Sequence, residues 1–380
     1  MTSENATFVA CLTPPGRAAI ATLGVLGPQA WSAVRALFRT RAGTELPETV
    51  TAGRVWLGRA GGEVGDEVVL ALKRTEPTPW LEIHCHGGRE ASDYLLALLC
   101  ERGLTPCAPE AFVVATEGDP RRTVAAVALT KATTLRTASI LLDQYQGALA
   151  RALDAATKAL DDGATAAALD HLTALSGRSA LGLHLTEPWR VVVAGGPNVG
   201  KSSLINALAG YPRSVVAPTP GTTRDVVTVR IALDGWPVEL TDTAGLRADA
   251  APLEAAGIEH ARATLRDADV CLWVLDASSP PVWPEAPAPT AHLVINKTDL
   301  TPAWDLDRAA GAVRVSARTG EGIPELGAAL ARWLVPTPPS PGDAVPFTAA
   351  LVAGIEETCL LLRQGQIEQA RQTMADLWTA

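Results

Sequence analysis

The run "VVVAGGPNVGKSSLINALAG", Val191 to Gly210, constrains the fold of this chain more than any other stretch. It fills the pattern G-x-x-x-x-G-K-S with Gly195, Gly200, Lys201 and Ser202. Val191 to Val193 read as a buried strand. "SSLINALAG" reads as a helix, with Leu204, Ile205 and Leu208 apolar and Gly210 as its stop. A helix N-terminus presents unpaired N–H groups and a partial positive charge, which suits an anion. In such a loop Gly195 and Gly200 let the backbone curl around a β-phosphate, with Asn198, Val199 and Ser203 beside it. Lys201 then reaches the β- and γ-oxygens, and the Ser202 hydroxyl ligates Mg²⁺. The competing reading is a glycine-rich turn joining a strand to a helix, so the rest of the chain has to decide.

Four further stretches follow in order. "PGTTRD" (Pro220 to Asp225) reads as a loop in which Thr222 and Thr223 offer hydroxyls. "DTAG", comprising Asp242, Thr243, Ala244 and Gly245, follows the strand-like "WPVELT"; its Asp holds Mg²⁺ through water and its Gly N–H contacts a γ-phosphate. "NKTD", with Asn296, Lys297 and Asp299, follows "HLVI". Asp299 can accept two hydrogen bonds from guanine N1 and N2, which adenine cannot supply, so adenine leaves a buried carboxylate unsatisfied. "SARTGEGI", with Ser316, Ala317 and Arg318, follows "AVRV", and the Ala317 backbone can contact guanine O6. Ligands of open α/β sheets bind at the carboxyl ends of strands. Together the five stretches predict a guanine-nucleotide-binding domain with a doubly wound sheet. An ATPase or small-molecule kinase is the runner-up, and Asp299 argues against both.

At 380 residues the chain has room for two or three domains. Residues 1–118 alternate short apolar runs with turns and predict an α+β domain. Residues 119–185 read as a helical segment, because the stretch from about 123 to 180 carries apolar residues at helical spacing with almost no Gly or Pro, which predicts two or three long helices. Residues 186–336 alternate strand and helix, as a doubly wound domain should. "VPTPPSPGD" is a Pro-rich linker, and residues 345–380 predict one or two helices. Helices before and after an inserted α/β domain suggest one bundle built from both sides. The net charge of −9 gives no global basic field, so a nucleic-acid partner would need a local patch. Six scattered cysteines without a C-x-x-C pair, and a start that does not read as a leader, predict reduced thiols in a cytoplasm. No apolar run reaches the ~18 residues of a membrane helix. His84 and His86 of "HCH" lie on one side of a strand and Cys85 on the other; "CHGG" reads as a turn into the helix "REASDYLLALL".

The means of activating water is not the Ras-like one. In Ras-like proteins a Gln directly after D-x-x-G orients water; here the position is Leu246. Arg224 and Arg247 are nearby, but neither is placed by motif as an arginine finger. Asn198 can instead ligate a monovalent cation beside the phosphates, and Glu254 can order water directly or through a second water; the competing reading of Glu254 is a solvated carboxylate at a helix start.

"GGPNVGKSSLINAL", "PGTTRD", "DTAGLR…LEAAGIEHAR", "NKTDL" and "SARTGEGI" together resemble the tRNA-modification GTPases of the MnmE (TrmE) family. "TPPGRAAIATLGVLGP" and "LEIHCHGG" resemble that family's "TPPGRGGIGIIRISGP" and "VEISCHGG". The resemblance implies a folate-binding-like first domain, a helical domain and an inserted Ras-like G domain. It implies Mg²⁺ held by Ser202 and Thr223, K⁺ held by Asn198 and Thr222, and Glu254 as a general-base-like residue beside Lys201. It also implies G-domain homodimers that bind GTP and GDP, the FAD protein MnmG as partner, and tRNA wobble uridine as substrate, modified with a one-carbon unit from 5-formyl-tetrahydrofolate.

The chain departs from the family's pattern in its folate part. Gly24 stands where the family motif has Arg, and "GDPRRTVAAVAL" stands for "G-E-F-x-x-R-A-F-L-N-G-K". The family's closing "FCIGK" has no counterpart in the closing "DLWTA", and Cys359, in a helical stretch, does not match its Cys, while Glu82, a candidate folate residue, is retained. Three functions follow: a GTPase of tRNA modification, a GTP-driven switch that has lost folate chemistry, or a binding protein with little turnover.

Overall fold

The computed structural model describes residues 6–14, 16, 18–62, 65–210, 228–242, 268–284 and 290–378. The chain divides into two compact units, Met1–Thr130 and Lys131–Ala380.

The first unit is built on a seven-stranded sheet. Its strands are β1 (Phe8–Cys11), β2 (Ile20–Leu26), β3 (Phe38–Thr40), β4 (Val55–Gly61), β5 (Gly65–Arg74), β6 (Trp80–His86) and β7 (Thr105–Pro106), in the order β3-β4-β5-β6-β2-β1-β7. Four helices accompany it: α1 (Ala30–Leu37), α2 (Arg89–Glu101), α3 (Pro109–Thr116) and α4 (Pro120–Lys131). Strand alternation sorts the residues of β6, so that Leu81, Ile83 and Cys85 join the main core with Leu23, Val25, Leu70 and Leu95. Glu82 and His84 point the other way. On that second face Ala10 and Leu26 pack with Phe112 of α3 in a smaller cluster. Gly87 and Gly88 form the turn from β6 into α2, as the "CHGG" reading expects.

The second unit opens with α5 (Leu135–Tyr145), α6 (Ala148–Asp161), α7 (Thr165–Ser176) and α8 (Ser179–Leu183). The expectation of two or three long helices is therefore corrected to several shorter ones. The breaks fall at the few residues able to make them. Thr134 caps α5 by accepting from the Thr137 N–H at 3.2 Å, and Gly147 and Gly163 adopt φ of 92° and 76°. Only glycine takes such angles freely.

A six-stranded sheet follows, with β8 (Trp189–Gly195), β9 (Thr228–Leu233), β10 (Trp236–Asp242), β11 (Val270–Asp276), β12 (Ala291–Asn296) and β13 (Val313–Arg314) in the order β13-β12-β11-β8-β10-β9. All neighbouring pairs are parallel except β9 with β10. The central strand β8 buries Trp189 and Val191 to Ala194, the unbroken apolar run that a strand covered on both faces needs. Helices α9 (Lys201–Ala209) and α10 (Ile323–Leu334) accompany this sheet.

The chain then returns to the helices. After α11 (Ala349–Arg363) and α12 (Ile367–Asp376), separated by Gly365 at φ 76°, the bundle closes on itself: α6 packs on α7, α7 on α11, α11 on α12 and α12 on α6. Leu149, Leu153 and Leu160 of α6, Leu172 and Leu175 of α7, and Leu351, Ile355 and Leu362 of α11 are buried. One bundle is thus assembled from both sides of the inserted domain, as the sequence suggests. The returning linker is fastened by buried Gln144, whose Nε2 donates to the Asp343 carbonyl at 3.0 Å and whose Oε1 accepts from the Val345 N–H at 3.2 Å. Arg178 adds an ion pair to Asp343 at 2.9 Å. At the other junction Thr134 Oγ1 donates to the Gly235 carbonyl at 2.6 Å, and Arg136 pairs with Asp234 at 3.1 Å, so the start of α5 grips the β9–β10 turn. Among the described residues no helix is long and apolar enough to cross a membrane.

Candidate nucleotide site

The carboxyl ends of β8, β10, β11, β12 and β13 converge on one edge of the second unit. β8 runs into the loop Gly195–Gly200, and α9 begins at Lys201. Two glycines are required here by geometry. At Gly195, with φ 141°, a Cβ would stand 2.4 Å from the Val274 carbonyl oxygen; at Gly200, with φ 94°, it would stand 2.4 Å from Asn296 Nδ2. Asn198 also takes a left-handed φ of 60°, a region that Asn enters more readily than most residues. Lys201 folds over the loop, its Nζ donating to the carbonyls of Gly195 (3.3 Å) and Gly196 (2.9 Å). Ser202, in the first turn of α9, donates through Oγ to Asp242 Oδ2 at 2.6 Å. Asp242 ends β10 and is only 3% exposed. A hydroxyl and a carboxylate brought together make an all-oxygen donor pair of the kind Mg²⁺ prefers.

β12 delivers the second group. Asn296 is 2% exposed; its Nδ2 donates to the Val199 carbonyl at 3.0 Å and its Oδ1 accepts from the Ala317 N–H at 3.0 Å. One side chain therefore ties the phosphate loop to the loop after β13. Lys297, at φ 63°, donates to the Asn198 carbonyl at 2.7 Å and to Asp276 Oδ2 at 2.6 Å. Asp299 Oδ1 accepts from Ser316 Oγ at 2.6 Å, and its Oδ2 accepts from Arg318 Nε at 2.9 Å. The Ser316 hydroxyl, with Arg318 beside it, holds the Asp299 carboxyl below the ordinary carboxylate value despite some desolvation. Gly200, Ser203, Asn296, Lys297, Asp299 and Arg318 are among the residues lining a cleft of about 710 Å³, within the size range of ligand sites.

The sequence-predicted residues Asn198, Val199, Gly200, Lys201, Ser202, Ser203, Asp242, Asn296, Lys297, Asp299, Ser316, Ala317 and Arg318 thus lie around one edge of one sheet. Thr222, Thr223, Thr243, Ala244, Gly245 and Glu254 lie outside the described residues. Glu82 belongs to the first unit, where it faces Lys73 Nζ and His84 Nε2, each at 3.5 Å. Thr22 Oγ1 lies 3.0 Å from His84 Nδ1, and His86 pairs with Asp66. Among the described residues no group of three or more His, Cys, Asp and Glu is arranged to hold a metal ion.

Sequence reasoning missed Asp276. It ends β11, is 6% exposed, and accepts from Lys297 Nζ and from both the N–H (2.8 Å) and Oγ (2.7 Å) of Ser278. Burial alone would raise its pKa, but Lys297 and Ser278 outweigh burial and lower it. The available signal was an Asp closing the apolar run "VCLWVLD", followed two residues later by Ser.

A glycine-bounded phosphate loop tied by one Asn to a carboxylate-bearing loop, on the carboxyl edge of a doubly wound sheet, defines a P-loop GTPase. Residues 190–298 match the family model described as 50S ribosome-binding GTPase, and residues 7–116 match the model described as GTP-binding protein TrmE N-terminus. The chain is similar to the tRNA modification GTPase MnmE of Alkalilimnicola ehrlichii, at 34% identity over 360 aligned positions covering 84% of this chain and 80% of that protein. It is 35% identical to the protein of that name from Methylobacterium sp. strain 4-46, covering 87% and 82%. With the Chloroflexus aurantiacus protein of that name it shares 33% identity, covering 98% and 90%. The chain belongs to the MnmE family.

Proposed function

We propose that this chain is a cation-assisted GTPase acting in the modification of the wobble uridine of tRNA. The observation that carries the reading is membership of the MnmE family together with a nucleotide edge whose loops are already tied to one another by Asn296. In the proposed division of labour, residues 1–118 form the first domain, 119–185 and 345–380 the helical domain, and 186–336 the G domain. The loop from Gly195 to Lys201 cradles the phosphates, Asp299 reads guanine, and Ser202 with Thr223 holds Mg²⁺. Asn198 and Thr222 would hold K⁺, which would supply the positive charge that an arginine finger otherwise provides. Glu254 orders the water that attacks the γ-phosphorus. The bond to the bridging oxygen then breaks, leaving GDP and phosphate. Water exclusion strengthens these electrostatic contacts, so hydrolysis is completed when two G domains meet. The FAD protein MnmG, tRNA, and a cytoplasmic setting complete the proposal.

One observation favours a second reading, a GTP-driven switch without folate chemistry. Gly24, where the resembled motif has Arg, lies directly opposite Glu82 across β2 and β6. A Cβ at Gly24 would stand 2.5 Å from the Phe112 ring. Phe112 fills the space that a side chain at position 24 needs, so this face does not fit a folate carboxylate paired with a cation there. Calorimetry with 5-formyl-tetrahydrofolate is expected to give no binding; stoichiometric tight binding would remove the second reading. Expression in a bacterium deleted for its own MnmE tests the first. Restored wobble-uridine modification, read by nucleoside mass spectrometry, supports it. Unmodified tRNA alongside active GTP hydrolysis would leave only the switch.

A further inference from the structure

The carboxylate proposed to read guanine is already engaged by a side chain of the same cleft. Arg318 Nε donates to Asp299 Oδ2 at 2.9 Å, and Arg318 Nη2 lies 2.6 Å from the same oxygen. Ser316 Oγ donates to Oδ1 at 2.6 Å. An ionised carboxylate offers about four lone-pair sites, and these contacts use three of them. Guanine brings two donors, N1–H and N2–H, to the same group, and one site remains. A guanidinium carries the same pair of adjacent N–H donors on a planar N–C–N unit as the guanine edge does, so Arg318 imitates the ligand chemically.

Ser316 is not the group that gives way. It is fully buried, and its hydroxyl also accepts from the Thr319 N–H at 3.2 Å. The backbone around Arg318 is equally fixed: the Ala317 N–H is held by Asn296, and the Gly320 N–H donates to the Ser316 carbonyl at 2.9 Å. The Arg318 side chain, by contrast, is 76% exposed while that of Asp299 is 11% exposed. Arg318 can swing into water with little desolvation penalty and without any loop movement.

We propose that Arg318 is an intramolecular competitor for the guanine-reading carboxylate: its guanidinium and the guanine edge draw on the same acceptor sites of Asp299, so the contact must loosen as a guanine nucleotide binds. The inference rests on the guanine-reading role of Asp299 given above. A binding-competent fraction below one lowers apparent affinity by that fraction. An exposed ion pair is modest in strength, so the competitor lowers uptake by roughly two- to sixfold and does not block it. Because the contact is broken in the complex, it slows association and leaves dissociation alone. The device keeps nucleotide affinity loose and gives Asp299 a partner whenever nucleotide leaves.

The test is stopped-flow binding of a fluorescent GDP analogue to the full-length wild type, Arg318→Met, which keeps the apolar stem without the fork, and Arg318→Lys, which replaces the fork with a point charge. Arg318→Met is expected to raise the association rate constant roughly two- to sixfold, with the dissociation rate constant unchanged and Arg318→Lys in between. An unchanged association rate with faster dissociation would overturn the proposal, because Arg318 would then be a contact to bound nucleotide. Unchanged values of both would also overturn it. No binding by any of the three proteins would instead refute the guanine-nucleotide reading itself.

Discussion

Removing the Asp276 carboxylate should loosen the carboxyl end of β12 and the loop Gly195–Gly200 together. Asp276→Ala deletes the acceptor of three hydrogen bonds, from Lys297 Nζ and from the N–H and Oγ of Ser278. Hydrogen bonds to a charged group are worth about 1.5–3 kcal/mol each. The full sum does not apply, because Lys297 is 31% exposed and water re-solvates much of its ammonium. A net local loss of about 2–3 kcal/mol remains, or roughly 30- to 150-fold in an opening equilibrium. Hydrogen exchange read by mass spectrometry over residues 291–300 is the direct assay, and protection should fall by that factor. The peptide covering Asn198 should follow, since Lys297 holds the Asn198 carbonyl. The pH dependence has a definite sign. The folded pKa of Asp276 lies below its ordinary value. Its stabilisation is therefore complete above the unfolded pKa of about 3.9 and is lost as pH falls through the folded value. The gap between wild type and Asp276→Asn should stay constant from pH 7 down to about pH 5 and close below it. Protection within threefold of wild type in Asp276→Ala would refute the reasoning.

Two further perturbations follow from the same geometry. Asp299→Asn should shift nucleotide preference from GTP toward xanthosine triphosphate, measured by competition binding; unchanged GTP affinity would remove the base-reading role. Thr134→Ala removes both the cap of α5 and the hydroxyl donated to Gly235. It should lower the thermal stability of the second unit by about 1–2 kcal/mol, and a melting temperature equal to wild type would contradict that assignment of the junction.

What was legible in the sequence was whatever chemistry is contiguous. The phosphate loop, "NKTD" and "SARTGEGI" each place donors and acceptors within a few residues, and each follows a strand that is apolar enough to be seen. Ser202 beside Asp242 and Asn296 beside Val199 and Ala317 follow once the parallel sheet aligns those strand ends. The helical segment was harder. Its composition is nearly uniform, and Thr134, Gly147 and Gly163 mark where it breaks. Gly147 and Gly163 are visible in the sequence, but their positive φ of 92° and 76° is seen only in the folded backbone. Asp276 was only half legible: the Asp and Ser278 are neighbours in the sequence, but its link to the candidate site exists only because Lys297, 21 residues later, folds back onto it. The consequence of Gly24 likewise needed Phe112, which arrives from a helix far along the chain. Arg318 could be listed as a site residue from its motif, yet its grip on Asp299 is a matter of side-chain geometry alone.

Single-turnover GTP hydrolysis in matched KCl and NaCl asks whether a cation supplies the charge that no motif-placed arginine provides. The account predicts slow hydrolysis in Na⁺ and acceleration in K⁺ by on the order of tenfold or more, about 1.4 kcal/mol of barrier. It predicts loss of that acceleration in Asn198→Ala, with nucleotide binding largely spared because Lys201 and Asp299 remain. Equal rates in the two salts for the wild type would contradict the account and leave the activating charge to come from another protein.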